Sequence, residues 1–167
     1  MDMLFRRFFE ILTGERTLYS QLVQLSQEKK DAVSQNKIDE LDRIVRDEQN
    51  QLVRLQEWER ARRKCAEEFA QAMGRPAGDI GMKDFLEACP APQKPMIEKL
   101  YRELLSVVEE QAALNDINRQ LIEQRLEYID MMVGSAQPVR DTSHVYDSAG
   151  GERKKWKPNL SIIDRKV

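Results

Sequence analysis

The sequence predicts an all-α protein: an antiparallel hairpin of two long helices plus a third long helix, forming a three-helix, coiled-coil-like bundle. Three observations predict this class. Of the 167 residues, 34% are charged and 41% apolar, and Glu, Gln, Leu, Arg and Lys are abundant. This composition is typical of coiled coils. Apolar residues recur at heptad spacing over three long stretches. Gly and Pro are concentrated between the second and third stretches and after the third.

The first predicted helix spans about residues 3–33. Its apolar row has a strict seven-residue repeat: Leu4, Ile11, Leu18, Leu25 and Ala32. Phe8 and Leu22 occupy intermediate positions, and Glu15 and Lys29 interrupt that second set. The pattern is that of a heptad seam with polar interruptions.

A connection of only a few residues, 34–37, follows, with Asn36 as a predicted N-cap. Such a short link favours an antiparallel arrangement of the two helices that it joins. The second predicted helix spans about residues 38–73. Its heptad row consists of Ile38, Leu41, Val45, Glu48, Leu52, Leu55, Glu59, Arg62, Ala66, Phe69 and Met73.

Gly74 and Pro76 end the second helix, and residues 79–88 are predicted to form a short helix in the connection. The third long helix spans about residues 95–133 and carries two neighbouring rows. The first row is Ile97, Leu100, Leu104, Val107, Gln111, Leu114, Asn118, Leu121, Arg125, Tyr128 and Met132. The second, displaced by one residue, is Tyr101, Leu105, Val108, Ala112, Asn115, Arg119, Ile122, Leu126, Ile129 and Val133. A one-residue step rotates by about 100°, so the two rows predict a broad apolar face that contacts two neighbouring helices.

The domain organisation follows from where the apolar pattern stops. Residues 1–133 are predicted to be the helical bundle domain, and residues 134–167 a flexible C-terminal tail that buries too little apolar surface to order itself. The bundle domain holds 20 basic and 25 acidic side chains, and the tail holds 7 and 4. The charge balance therefore predicts no general attraction of the bundle for nucleic acid.

The chemistry-bearing residues are few, and they argue against catalysis. The only histidine is His144, which cannot supply a paired metal site, and no phosphate-binding glycine loop is present. Cys65 and Cys89 are widely spaced and are predicted to be free thiols of a cytoplasmic protein. We expect no catalytic residues, metal or cofactor. We also expect no membrane insertion, because no apolar run approaches about 18 residues.

Two asparagines on the third helix are the sharpest anomaly. Asn115 and Asn118 lie one turn apart on a face otherwise formed by Leu114, Leu121 and Ile122. Buried asparagines fix helix register in coiled coils, which is one explanation. The other is that the face is partly open and the amides bond to a guest helix.

The same residues carry a family resemblance. The pattern Leu-Asn-x-x-Asn-x-x-Leu-Ile at 114–122 resembles the signature of FlgN-type flagellar export chaperones, which serve type III secretion. The tail segment 145–150, a tyrosine followed by a glycine, and the basic-then-Ser-Ile ending at 154–162 are similar to tail elements of that family.

The resemblance implies a protein that binds proteins. Such chaperones capture the C-terminal amphipathic region of unassembled hook-filament junction proteins, prevent premature assembly and deliver them to the flagellar export gate. The implied guest-binding residues are Leu114, Asn115, Asn118, Leu121 and Ile122, and the implied gate-contacting residues are Tyr146 and Gly150.

Two other functions stay open. In one, the protein is a structural coiled-coil adaptor or a homodimer whose apolar rows are self-buried. In the other, the basic segment 153–157 with Trp156 binds a membrane surface or nucleic acid.

Overall fold

The computed structural model describes residues 1–136. Within that range the chain forms four α-helices and no strand, which confirms the all-α prediction. The helices are α1 (Asp2–Ser34), α2 (Ile38–Ala72), α3 (Met82–Ala88) and α4 (Lys94–Ala136), with a 3₁₀ turn at Ala77–Asp79. Each long helix lies within a few residues of its predicted bounds. The predicted tail lies outside the described residues except for 134–136, which continue α4.

A residue in the left-handed backbone conformation follows each of the two hairpin helices. Asn36, with φ of 57°, follows α1, and Gly74, with φ of 66°, follows α2. In both turns the next amide closes a six-residue loop: Lys37 N–H bonds to Ala32 O, and Arg75 N–H bonds to Ala70 O. The prediction for Gly74 is confirmed. The prediction that Asn36 is an N-cap is wrong, because asparagine is also a residue that tolerates the left-handed conformation after a helix C-terminus.

The central element is α1, which packs along both α2 and α4. Its predicted heptad seam faces α2. The two polar interruptions of the seam make ion pairs there: Glu15 bonds to Arg62 at 2.8 Å, and Lys29 pairs with Glu48. A further buried row, displaced by one residue, includes Ser26, which bonds to α4. The members of this further row are Phe5, Leu12, Tyr19, Ser26 and Val33. The helix with two packed faces is therefore α1, and the prediction that the third long helix contacts two neighbours along its length is wrong.

The helices run up, down and up, so α4 is parallel to α1. Contacts between the two helices advance together along both chains: Arg16 bonds to Glu103 at 2.6 Å, and Arg125 bonds to the carbonyl of Ser34 at 2.6 Å. Because α1 ends at Ser34, the part of α4 after Arg125 extends past the hairpin turn. Those eleven residues add about 16 Å at the usual helical rise.

A cluster of phenylalanines closes the end of the bundle away from the hairpin turn. The ring of Phe85, on α3, lies 4.9 Å from Phe5, 4.1 Å from Phe8 and 4.7 Å from Phe69, measured between ring centres. All four rings are buried. The short helix α3 therefore packs its Phe85 ring between the start of α1 and the end of α2.

The α2 row departs from the predicted one in the half nearer the turn. Ile44 is fully buried, whereas Val45 and Leu52, which the heptad pattern placed inward, are 38% and 37% exposed. Arg43 reaches Glu28 on α1 at 3.0 Å, and Glu48 reaches Lys29. The Ile44 side of α2 therefore faces α1, and the two predicted members of the row turn outward.

Candidate protein-binding site

The two predicted rows of α4 separate in the structure. The first row faces α1 and is buried or half-buried as far as Arg125: Ile97, Leu100, Leu104, Val107, Gln111, Leu114, Asn118, Leu121 and Arg125. The second row is at least partly buried only near α3, at Tyr101, Leu105 and Val108. From Ala112 onward every member of the second row is exposed.

We call the exposed part of the second row the open row. Its members other than Arg119 are Ala112, Asn115, Ile122, Leu126, Ile129 and Val133. It spans 112–133, or about 32 Å of helix, and its uninterrupted aliphatic part is 122–133, or about 16 Å. Aliphatic side chains at spacings of three and four residues form a continuous stripe on a helix. A stripe of this length exposed to solvent is the arrangement by which one helix binds another.

A buried polar cluster fixes α4 on α1 beside the open row. The amide of Asn118 donates to the carbonyl of Ser26 at 2.8 Å, and the amide of Gln111 donates to the Ser26 hydroxyl at 3.0 Å. Ser26, Gln111 and Asn118 are all buried. A one-turn slip of α4 along α1 would leave these polar groups facing aliphatic side chains, so the cluster sets the register between the two helices.

The two asparagines of the sequence signature therefore have different surroundings. Asn118 is buried in the α1–α4 interface, as the register explanation predicted. Asn115 is exposed on the open row, and its oxygen accepts a bond from the Gln111 amide at 3.3 Å. Ile122 is exposed, and Leu114 and Leu121 are half-buried at the edge between the two rows. The signature thus combines residues that hold α4 in place with residues that it presents to solvent.

An isosteric pair of substitutions tests this division. We expect Asn118→Asp to lower the stability of the protein by about 3 kcal/mol, because it replaces a buried donor with a carboxylate oxygen facing the Ser26 carbonyl. Asn115→Asp keeps its acceptor for Gln111 at an exposed position, and we expect a change within about 0.5 kcal/mol. Urea denaturation followed by circular dichroism measures both. Equal losses in the two variants would contradict the division.

The remaining sequence-predicted site residues, Tyr146 and Gly150, lie outside the described residues. The basic segment 153–157 does as well. The apolar residues of α4 nearest the end of the described chain were predicted to contact a neighbouring helix and were not assigned to the binding site. Leu126, Ile129 and Val133 continue the open row past the hairpin turn, and their one-residue displacement from the buried row is the signal that identifies them.

The described residues offer little to reaction chemistry. Within 1–136 there is no group of three or more His, Cys, Asp or Glu side chains placed to hold a metal ion. Cys65 and Cys89 are both buried and form no disulfide, and burial raises the pKa of each thiol, which disfavours the nucleophilic thiolate. No helix in the same range is long and apolar enough to cross a membrane. The prominent chemical feature of the described chain is the open row.

The family model described as "FlgN protein" matches residues 1–154, which include all of the described structure and the segment around Tyr146. No curated protein and no solved structure shows significant similarity to the chain. Because the match covers most of the 167 residues, the chain belongs to the FlgN family, a family of flagellar chaperones rather than of enzymes.

Proposed function

We propose that this chain is a cytoplasmic export chaperone for hook-filament junction proteins. It binds their C-terminal amphipathic region before assembly, keeps that region from polymerising, and delivers the client to the flagellar export gate. The observation that carries this proposal is the open row on α4, an aliphatic stripe that no part of residues 1–136 covers. Membership of the FlgN family supports the chaperone role.

The stripe matches what an amphipathic client helix requires. Such a helix is held through aliphatic anchors at spacings of three, four and seven residues, and Ile122, Leu126, Ile129 and Val133 follow that spacing. Binding would cover apolar surface on both partners and so remove it from water. The polar cluster of Ser26, Gln111 and Asn118 holds α4 on α1 with the stripe turned away from α1.

Titration calorimetry of the full chain with a synthetic C-terminal peptide of a junction protein tests the proposal. We expect a saturable complex with a negative heat-capacity change, since apolar surface is buried. A peptide of the same composition in scrambled order is the control. No binding of the ordered peptide, or equal binding of both, would contradict the proposal.

A structural adaptor or homodimer is the alternative, and the exposed stretch of α4 past the hairpin turn gives it an observation of its own. Sedimentation of the purified protein at several concentrations separates the two functions. A monomer that binds the client peptide supports the chaperone. A stable dimer that does not bind the peptide supports the adaptor.

Delivery is proposed to depend on Tyr146. We expect Tyr146→Ala to leave the melting temperature and the affinity for the client peptide unchanged, while reducing export of the junction protein from flagellated cells. The reason is that a tyrosine outside the bundle domain contributes a contact to the gate and none to the client. The measurements are thermal unfolding, calorimetry and the amount of secreted client. A lowered melting temperature would show that Tyr146 belongs to the folded domain instead.

A further inference from the structure

A second exposed aliphatic row lies on α2, in the half of the helix nearer the hairpin turn. It comprises Ile38, Val45 and Leu52, which are seven residues apart. This part of α2 lies beside the same end of α1 as the open row does, since Glu48 pairs with Lys29 and Asn118 bonds to Ser26. The α2 row therefore lies at the level of the first part of the open row, from Ala112 to Ile122, and Leu126, Ile129 and Val133 continue the open row past it.

Helix handedness shows that the two rows also face the same space. Each row lies one residue after the residues that face α1: Val45 follows Ile44 on α2, and Ile122 follows Leu121 on α4. In both helices that step rotates the side chain by about 100° in the same sense, viewed from the N-terminus. Because α2 and α4 run in opposite directions, the rotations are opposite when viewed from one end, and both rows turn to the same side of the molecule.

The two packed rows of α1 define which side this is. The row facing α2 precedes the row facing α4 by one residue, as Leu4 precedes Phe5, so α2 and α4 lie about 100° apart around α1. With a right-handed helix this places the exposed rows of α2 and α4 toward each other, across the space between them. The result is a groove with α1 as its floor.

The two ends of the molecule differ in what lies beside α2 and α4. Near α3, the ring of Phe69 on α2 lies 4.7 Å from that of Phe85 between ring centres, and both rings belong to the buried core together with Val108 on α4. Toward the hairpin turn, α2 and α4 share no interface comparable with those that each makes with α1. Val45 and Leu52 on one wall and Ile122 on the other are exposed there.

We infer that the client helix lies in this groove, between α2 and α4, and completes a four-helix bundle in the half of the molecule nearer the turn. Ile38, Val45 and Leu52 then form a second binding wall opposite the part of the open row that precedes the hairpin turn. This inference rests on the proposed function, because it takes the client as the occupant. It adds that α2, whose heptad row the sequence assigns to the core, contacts the client directly.

The charge of the walls indicates the chemistry of the client. Segments 35–53 and 109–136 together hold 5 basic and 11 acidic side chains, whereas the whole of 1–133 holds 20 and 25. The negative charge of the body is thus concentrated in the two helical segments that carry the groove walls. The structure therefore fits an amphipathic helix whose apolar stripe is flanked by Lys and Arg, which such walls attract and orient.

Two neighbouring apolar residues on α2 provide a matched test. Leu52 lies on the groove wall, and Val53, which is 59% exposed, lies one further step of about 100° away from the groove. In the full chain we expect Leu52→Asp to weaken binding of the client peptide about tenfold or more, and Val53→Asp to change it less than about twofold. Circular dichroism should show both variants folded as the wild type.

The outcomes distinguish this inference from the function on which it rests. One possible outcome is that the peptide binds the wild type, Ile122→Asp weakens this binding, and Leu52→Asp has no more effect than Val53→Asp. The second wall is then wrong and the chaperone function stands. If no peptide binds the wild type, the chaperone function itself fails. If Leu52→Asp tightens peptide binding, the chain's own residues 137–167 occupy the groove. If it dissolves a dimer detected by sedimentation, a second copy does. Either of the last two results overturns the inference.

A pair of designed peptides tests the charge requirement. Both carry leucines at heptad spacing, and their flanking positions hold Lys in one peptide and Glu in the other. In 50 mM salt we expect the Lys-flanked peptide to bind at least about tenfold more tightly than the Glu-flanked peptide. The difference in affinity should shrink in about 0.5 M salt, because salt screens exposed charges. Equal affinities at low salt would contradict the assignment of a basic-flanked client.

Discussion

Ile122→Asp is expected to weaken binding of a junction-protein peptide about 30-fold or more, while Ile117→Asp changes it less than about twofold. Both isoleucines are on α4 and are similarly exposed, 36% at Ile122 and 41% at Ile117. They lie on opposite sides of the buried row, because Ile117 precedes Asn118 whereas Ile122 follows Leu121. Placing a carboxylate in an apolar interface costs about 2 kcal/mol or more, which corresponds to the expected factor.

The measurement is calorimetry with the client peptide, accompanied by thermal unfolding of each variant. Ile122→Asp is a sharper choice than Leu121→Asp, since Leu121 is half-buried against α1 and its substitution would also lower stability. Similar losses of affinity at Ile117 and Ile122 would show that negative charge on α4, rather than the open row, opposes binding. Unchanged affinity in both variants would remove α4 from the binding site.

The helices themselves could be predicted from the sequence because heptad spacing and the glycines and prolines act locally. Gly74 ends α2 as predicted, and the phenylalanines close one end of the bundle. The polar cluster of Ser26, Gln111 and Asn118 could be predicted only in part. The sequence shows Asn118 in an apolar row, but it does not show that Asn118 bonds to the carbonyl of Ser26, which lies 92 positions away in the chain. Long-range partners of this kind are not encoded in spacing.

Neighbouring residues on one helix were the main source of error. Ile44 and Val45 are both aliphatic and both fit a spacing of three or four, so periodicity alone could not decide which of them faces α1. In the structure Ile44 is buried and Val45 is exposed. For the same reason the broad face of α4 was attributed to contacts with two helices, when α1 is the helix with two packed faces and the second row of α4 is left open.

The candidate site could be located from the sequence, but its buried residues could not be separated from its exposed ones. The signature at 114–122 pointed to the part of α4 where the open row begins, yet it mixes buried and exposed positions. Asn115 and Asn118 differ by one turn, and only the position of α1 separates a register residue from a surface residue. The wall on α2 had no counterpart in the sequence, because Val45 and Leu52 were already assigned to the core.

Arg62→Met is expected to lower stability by about 3–5 kcal/mol at pH 7.5, the largest change in stability that we anticipate for a single substitution in this protein. Arg62 bonds to Glu15 at 2.8 Å, and both side chains are buried between α1 and α2. Removing the cation leaves a buried carboxylate without its opposite charge, which costs more than the pair contributes. The control is Arg63→Met, an exposed neighbour, for which we expect a change within about 0.5 kcal/mol.

The pH dependence of this loss identifies its cause. Burial already raises the pKa of Glu15, and Arg62 is the group that opposes the rise; in the variant the pKa is therefore higher still. A folded pKa above the unfolded one means that stability is present at low pH and is lost as the pH rises through the folded pKa. We expect the deficit of Arg62→Met, measured by urea denaturation, to shrink when the pH is lowered from 7.5 to about 4.5.

Because an apolar pair of similar volume has no charge to desolvate, Glu15→Leu combined with Arg62→Met should recover the wild-type stability at pH 7.5. A deficit that is independent of pH, and that the double variant retains, would mean that the packing of the Arg62 stem, rather than the buried charge, accounts for the loss.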